Sequence, residues 1–189
     1  MKETAVQKKG WRPTVADWFT LMRILGAVVL FFLAPFSLIF FIVYSLCGAS
    51  DAVDGWIARA TNTSTEVGAK LDSIADLLFY SAMVIKIMPK LISILPMALW
   101  YGVFSVLAVR AFSYLTAAIK YKCFASMHTW MNKLTGLCMF CMPYLLEQTF
   151  AVGYCTVTCV IAGLASAEEW VIHLFRKSYN PNVKTILKA

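Results

Sequence analysis

Apolar residues occur in six long runs, separated by short polar or proline-containing stretches. An α-helix needs about 20 apolar residues to cross a bilayer, and tilt or burial within a bundle accommodates shorter runs. We therefore predict an all-α fold, an integral membrane bundle of six transmembrane helices. The predicted helices are residues 18–34, 36–54, 70–88, 91–120, 129–147 and 150–174, with turns at Pro35, at Pro89 with Lys90, and near Glu147.

Composition supports the membrane assignment. Hydrophobic residues make up 60% of the 189 residues and charged residues only 14%, whereas soluble domains carry about 25% charged residues. One soluble core cannot bury so much apolar surface. We predict three segments: a cytoplasmic or interfacial segment at 1–17, a six-helix domain at 18–175 and a cytoplasmic tail at 176–189.

The basic residues indicate how the chain lies in the membrane. The net charge is +7, and Lys and Arg concentrate in the two termini and in the polar loops after the second and fourth predicted helices. Cytoplasmic loops carry such an excess. We expect both termini and the polar site described next to be cytoplasmic, with the chain in a bacterial inner or plasma membrane among its lipids. A nucleic acid is not an expected partner, since no soluble basic domain is present.

The chain has ten acidic residues, and four aspartates lie in one short stretch. Asp51 and Asp54 are three residues apart at the end of a predicted helix, and Asp72 and Asp76 are four apart at the start of the next. Each pair shares one helix face, and the loop from Arg59 to residue 68 is short enough to bring the helix ends together. The sequence therefore predicts four carboxylates converging at one edge of the bilayer.

Carboxylates beside hydrocarbon are rare and usually functional. Crowded together they repel one another, and divalent cations relieve that repulsion. Oxygen ligands favour Mg²⁺ or Mn²⁺, and two such ions bridged by shared carboxylates form a clamp for phosphoryl transfer. The alternative is a helix-end cluster satisfied by Lys, Arg and water, for example Asp51 with Arg59. The spacing of all four Asp favours the metal site.

The same stretch resembles a known family. It reads Asp51-x2-Asp54-Gly55-x2-Ala58-Arg59-x8-Gly68-x3-Asp72-x3-Asp76. These eight positions over 26 residues match the defining motif of the CDP-alcohol phosphotransferases, also called CDP-alcohol phosphatidyltransferases, without a gap or substitution. The six-helix layout is also similar to that family, including its phosphatidylglycerophosphate synthases.

The resemblance implies a role for each motif position. The four Asp would ligate two divalent cations, Mg²⁺ or Mn²⁺, and Asp76 would also be the catalytic base. The CDP group would contact Asp54, Gly55, Ala58, Arg59 and Gly68, with the glycines allowing close approach to the backbone and the guanidinium neutralising phosphate. The family's homodimers imply a homodimer here.

Other positions resemble the family less closely. Asp17-x2-Thr20-x2-Arg23 is similar to an Asn-x2-Thr-x2-Arg pattern of the first helix, with Asp in place of Asn; Arg23 would either touch substrate or balance Asp17. Arg110 and Lys133 resemble cations that bind phosphorylated acceptors in relatives. Their alternative role is snorkelling to the interface.

Residues outside these patterns suggest no further chemistry. His128 and His173 have no metal-ligand partner at a clear spacing, so we expect ordinary interface residues. The six cysteines lie in or beside apolar runs and are expected to pack as small apolar residues.

The predicted function is metal-dependent transfer of a phosphatidyl group from CDP-diacylglycerol to a small polar alcohol, with release of CMP. Glycerol 3-phosphate is the leading acceptor, and serine and inositol phosphate stay open. The run from Leu71 to Asp76 is similar to the serine-using branch. Two other classes are a cation transporter, which would place acidic groups at midplane depth, and a non-catalytic membrane scaffold, which would have no reason to keep this motif.

Overall fold

Six α-helices make up the part of the chain that the computed structural model describes, residues 15–61, 66–122 and 129–176. Side chains are described throughout these ranges except at residues 15–17, 51–61, 66–70 and 73. No strand occurs in them, as the sequence predicts. The helices are α1 Val15–Phe32, α2 Leu38–Thr61, α3 Glu66–Ile94, α4 Met97–Tyr121, α5 Trp130–Leu145 and α6 Ala151–Phe175.

Large apolar side chains are exposed on every helix. Examples are Phe32 on α1, Leu38 on α2 and Ile119 on α4, with exposed fractions of 80%, 76% and 73%. Surfaces of this kind are stable against lipid rather than water. Ile74–Ile94, Met97–Tyr121 and Ala151–Phe175 are long and apolar enough to cross a bilayer, and Trp18–Phe32 and Leu38–Ser50 are shorter apolar helices. The chain is therefore a membrane protein.

The chain divides into two compact units, Met1–Met88 and Pro89–Ala189. The first contains α1, α2 and most of α3; the second contains the end of α3 with α4, α5 and α6. The single domain predicted over 18–175, with flanking segments 1–17 and 176–189, stays a prediction.

In the first unit, α1 and α2 form a hairpin around Pro35. Phe36 has a φ of 63°, a left-handed conformation that reverses the chain direction. Ser37 then begins α2, because its hydroxyl oxygen accepts a hydrogen bond from the backbone N–H of Phe40 at 3.2 Å. Further along the hairpin, Gly26 lies so close to α2 that a Cβ would overlap the Cys47 sulfur. The turn predicted at Pro35 is confirmed.

The helix α3 packs on this hairpin through aromatic and polar contacts. The rings of Tyr44 and Phe79 stack with their centroids 5.4 Å apart. Lys86 donates from Nζ to the Leu33 carbonyl at the end of α1 at 2.8 Å, and a cation stabilises the carbonyl end of a helix. The buried core of the unit lies among these three helices.

Two predicted helix ends are wrong. Pro89 lies inside α3, which continues to Ile94, because a proline removes only one backbone hydrogen bond and neighbouring groups in membrane helices compensate for it. The turn comes instead at Leu95 and Pro96. The helix α2 continues past Asp54 to Thr61, since the polar residues that follow the apolar run are compatible with helical hydrogen bonding.

In the second unit, α6 packs against both α4 and α5. The Trp170 indole N–H of α6 donates to the Thr116 hydroxyl of α4 at 3.1 Å. Lys120 donates to the Leu174 carbonyl at 2.7 Å, which neutralises the carbonyl end of α6. Thr129 begins α5 by accepting from the Asn132 backbone N–H at 3.2 Å. The described cysteines are free thiols.

Candidate active site

The four aspartates lie on two consecutive helices at matched distances from the connection between them. The helix α2 ends at Thr61 and α3 begins at Glu66, and the five residue steps between these two ends span at most about 18 Å. At 1.5 Å of rise per residue, Asp54 and Asp72 lie about 10 Å from that connection, and Asp51 and Asp76 about 15 Å. The backbone is therefore suited to bringing the two Asp pairs to the same depth.

Of these four side chains, the structure describes those of Asp72 and Asp76. They are one helical turn apart on α3, and both bond to Arg23 of α1. Arg23 donates from Nη1 to Asp72 Oδ1 at 2.9 Å and to Asp76 Oδ1 at 2.5 Å. The Arg23 side chain is fully buried, whereas the two carboxylates are 44% and 37% exposed. The guanidinium thus holds both carboxylates from the buried side.

The structure describes the side chains of only some of the other residues predicted for the site in the first unit. Thr20 is buried one turn before Arg23 on α1. Asp17 is also in α1, but its side chain lies outside the described residues, so a bond from Arg23 to Asp17 stays a prediction. The same holds for the side-chain roles of Asp51, Asp54, Gly55, Ala58, Arg59 and Gly68.

The described carboxylates suit a divalent cation. Asp72 and Asp76 offer oxygen ligands, which Mg²⁺ and Mn²⁺ prefer, and each side chain is partly exposed. Among the side chains that the structure describes, no three His, Cys, Asp or Glu form a metal cluster. The sequence prediction adds Asp51 and Asp54 to this pair, and their side chains lie outside the described residues.

A second polar cluster lies inside the second unit. Arg110 of α4 pairs from Nη1 with Glu169 Oε2 of α6 at 2.9 Å and donates to Asn132 Oδ1 of α5 at 2.8 Å. Asn132 donates from Nδ2 to the same Glu169 oxygen at 2.7 Å. His173 Nε2 is 3.7 Å from Glu169 Oε1. The cluster joins three helices, and Glu169 is fully buried.

Lys133 follows Asn132 on α5 but is exposed. Its Nζ lies 5.2 Å from the Trp130 ring centroid, a cation–π distance. Arg110 is 27% exposed and stacks against Tyr114, with its Nε donating to the Tyr114 hydroxyl at 3.1 Å. Arg110 therefore has a counter-ion within its unit. The acceptor-binding role of both cations stays a prediction.

Glu169 and Asn132 were not predicted from the sequence as residues of a polar cluster. His173 is fully buried, so its predicted place at the membrane interface is wrong. One feature of the sequence could have indicated this cluster. Glu169 and Arg110 are charged residues within apolar runs, and such residues usually pair inside a bundle. His128 lies outside the described residues.

These features define an all-helical membrane protein in which a buried arginine of α1 bonds two aspartates of α3. The sequence profile of the CDP-alcohol phosphatidyltransferase family matches residues 13–172, which include all six helices almost completely. The chain belongs to the CDP-alcohol phosphatidyltransferase family. Members of this family transfer substituted phosphate groups.

One curated relative is similar over a shorter stretch. The CDP-diacylglycerol–serine O-phosphatidyltransferase of Methanocaldococcus jannaschii is 34% identical over 67 residues. That stretch is 35% of this chain and 31% of the relative. The match therefore covers about a third of the relative's length.

Proposed function

We propose that the protein transfers the phosphatidyl group of CDP-diacylglycerol to the hydroxyl of a small polar acceptor and releases CMP, a reaction of phospholipid biosynthesis. The main supporting observation is that Arg23 of α1 donates hydrogen bonds to both Asp72 and Asp76 of α3. That group includes two positions of the complete eight-residue motif. Family membership supports the reaction class.

Each residue of the motif has a place in the proposed reaction. Asp51, Asp54, Asp72 and Asp76 hold two Mg²⁺ or Mn²⁺ ions, which stabilise charge on the diphosphate when bound. Asp54, Gly55, Ala58, Arg59 and Gly68 bind the CDP group. Asp76 takes the proton of the acceptor hydroxyl, whose oxygen attacks the phosphorus attached to the lipid. The bond from that phosphorus to the CMP oxygen breaks, so no covalent enzyme intermediate is required.

An apolar groove between α1 and α3 supports a lipid donor. Its volume is about 360 Å³. It begins at Ala27 on α1, one turn beyond Arg23, and at Leu78 on α3, two residues beyond Asp76. Phe31, Ala82 and Ile85 line it further along. An acyl chain in this groove would place its diphosphate beside the carboxylates.

We propose serine as the first acceptor to test. The named relative is a serine phosphatidyltransferase, and the run from Leu71 to Asp76 is similar to the serine-using branch of the family. Glycerol 3-phosphate is the second candidate, since Arg110 and Lys133 resemble cations that bind phosphorylated acceptors. Inositol phosphate is the third.

An acceptor screen with purified protein tests this proposal. Each reaction contains CDP-diacylglycerol, Mg²⁺ or Mn²⁺ and one acceptor, and the lipid product is identified by mass spectrometry. We expect phosphatidylserine as the main product. Phosphatidylglycerophosphate as the main product would restore glycerol 3-phosphate as the acceptor. No lipid product with any acceptor would contradict the transferase proposal.

Arg110→Ala and Lys133→Ala test whether these cations contact the acceptor. If they bind an anionic group, KM for that acceptor rises about 10-fold or more, because a charge-assisted hydrogen bond contributes about 1.5–3 kcal/mol. The KM for CDP-diacylglycerol should stay unchanged. Equal effects on every acceptor and on the donor would show that the residues act only on the fold. Thr156→Ala, an exposed position on α6, is the control.

The proposed assembly and orientation follow the sequence and the family. Both termini and the active site face the cytoplasm of a bacterial inner or plasma membrane, and the protein is a homodimer. Cross-linking in native membranes and labelling of cysteines introduced at the termini would test these two points separately.

A further inference from the structure

Arg23 occupies an unusual electrostatic position on α1. Its side chain has no exposed surface, and it lies among the apolar residues of the first helix. A guanidinium buried without anions is strongly unfavourable. Its one Nη1 atom bonds to Oδ1 of both Asp72 and Asp76, and these bonds connect α1 to the start of α3. The two carboxylates therefore stabilise the buried cation.

The same bonds stabilise the carboxylates. Asp72 and Asp76 are four residues apart on one helix face, where like charges repel. One guanidinium placed against both oxygens offsets that repulsion from the buried side. Two carboxylates and one guanidinium still carry a net charge of −1, and both carboxylates are partly exposed. This arrangement attracts a further cation while remaining stable before the cation arrives.

We propose that Arg23 is a built-in counter-cation, a positioning residue that keeps Asp72 and Asp76 together while no divalent cation is bound. This inference rests on the metal site in the proposed function. A bound divalent cation supplies positive charge to the same carboxylates. Loss of Arg23 therefore destabilises the metal-free protein most, and metal ions compensate for much of the loss.

Thermal unfolding of the full chain in detergent tests the inference. Arg23→Met keeps the length and apolar stem but removes the charge. We expect its Tm in EDTA to be lower than that of the wild type by about 5 °C, the effect of losing charge-assisted hydrogen bonds to two partly exposed carboxylates that then repel each other. Addition of Mg²⁺ or Mn²⁺ should recover most of this loss, so the metal-induced rise in Tm is larger in Arg23→Met than in the wild type.

Lys86→Met is the matched control. Lys86 is also a cation that connects α3 to α1, through its bond to the Leu33 carbonyl, but that carbonyl is not a metal ligand. Its removal should lower Tm equally with and without metal. Arg23→Lys, which keeps the charge but not the planar two-carboxylate geometry, should fall between the wild type and Arg23→Met, and it replaces Arg23→Met if that variant does not fold.

The outcomes separate this inference from the metal site itself. Mn²⁺ binding measured by electron paramagnetic resonance reports the metal site directly. If the wild type binds Mn²⁺ but the Arg23 variants lose the same Tm in EDTA and in metal, Arg23 is only a packing residue and the inference is overturned. If the wild type neither binds Mn²⁺ nor gains Tm, the inference fails together with the proposed metal site.

Discussion

Asp76→Asn should reduce CMP release from CDP-diacylglycerol by at least about 10²–10⁴-fold, the contribution of a positioned general base. The substituted amide cannot take the acceptor proton and is a weaker metal ligand. Its oxygen can still accept the bond that Arg23 now donates to Asp76 Oδ1, so the fold should be retained. Turnover is measured with saturating acceptor and Mg²⁺, and Tm is measured on the same sample.

Glu147→Gln is the control for this variant. Glu147 is an exposed carboxylate in the turn between α5 and α6, so the Glu147→Gln substitution also removes one negative charge, but outside the proposed site. We expect the wild-type rate. An Asp76→Asn protein that turns over at the wild-type rate would exclude Asp76 as the base. A variant that is inactive and unfolded would be replaced by Asp76→Ser, which also lacks a carboxylate.

The second large effect concerns the fold of the second unit. Glu169→Ala should lower the free energy of unfolding by about 3 kcal/mol, near the lower end for a broken buried pair because Arg110 is partly exposed. Asn132 and Arg110 would both lose the Glu169 Oε2 atom as an acceptor. The expected fall in Tm is about 6–12 °C.

Two variants make this result specific. Glu169→Gln keeps an acceptor oxygen for Asn132 and should lose much less stability than Glu169→Ala. Thr156→Ala, on the exposed side of the same helix, should change the free energy by less than about 0.5 kcal/mol. Equal stability of the wild type and Glu169→Ala would mean that the cluster does not hold the three helices together.

The sequence predicted the helices better than their ends. Hydrophobic runs identify membrane helices because every backbone group must be satisfied inside the segment. An α-helix is present at each of the six predicted places, and among the described residues three helices are long and apolar enough to cross a bilayer. The same criterion predicted that α2 ends at Asp54, where the apolar run stops, and that α3 ends before Pro89, because proline often terminates a helix. Helical hydrogen bonds continue through both places.

For the candidate site, the sequence displays the Asp motif but not which residues bond to one another. The spacing of the Asp residues follows from local helix geometry, which a sequence displays directly. The bonds from Arg23 to Asp72 and Asp76 span 49 and 53 residues, and only the packing of α1 on α3 determines them. The same holds for Arg110 and Glu169, whose charges were visible in the sequence but whose partners were not.

Metal-dependent CMP release tests the central claim most directly. Purified protein is mixed with CDP-diacylglycerol and serine, and CMP is quantified with Mg²⁺ or Mn²⁺ and again with excess EDTA. The account predicts release with metal, loss of release in EDTA and recovery when metal is restored. Equal CMP release in EDTA, or none under any condition with any acceptor, would contradict it.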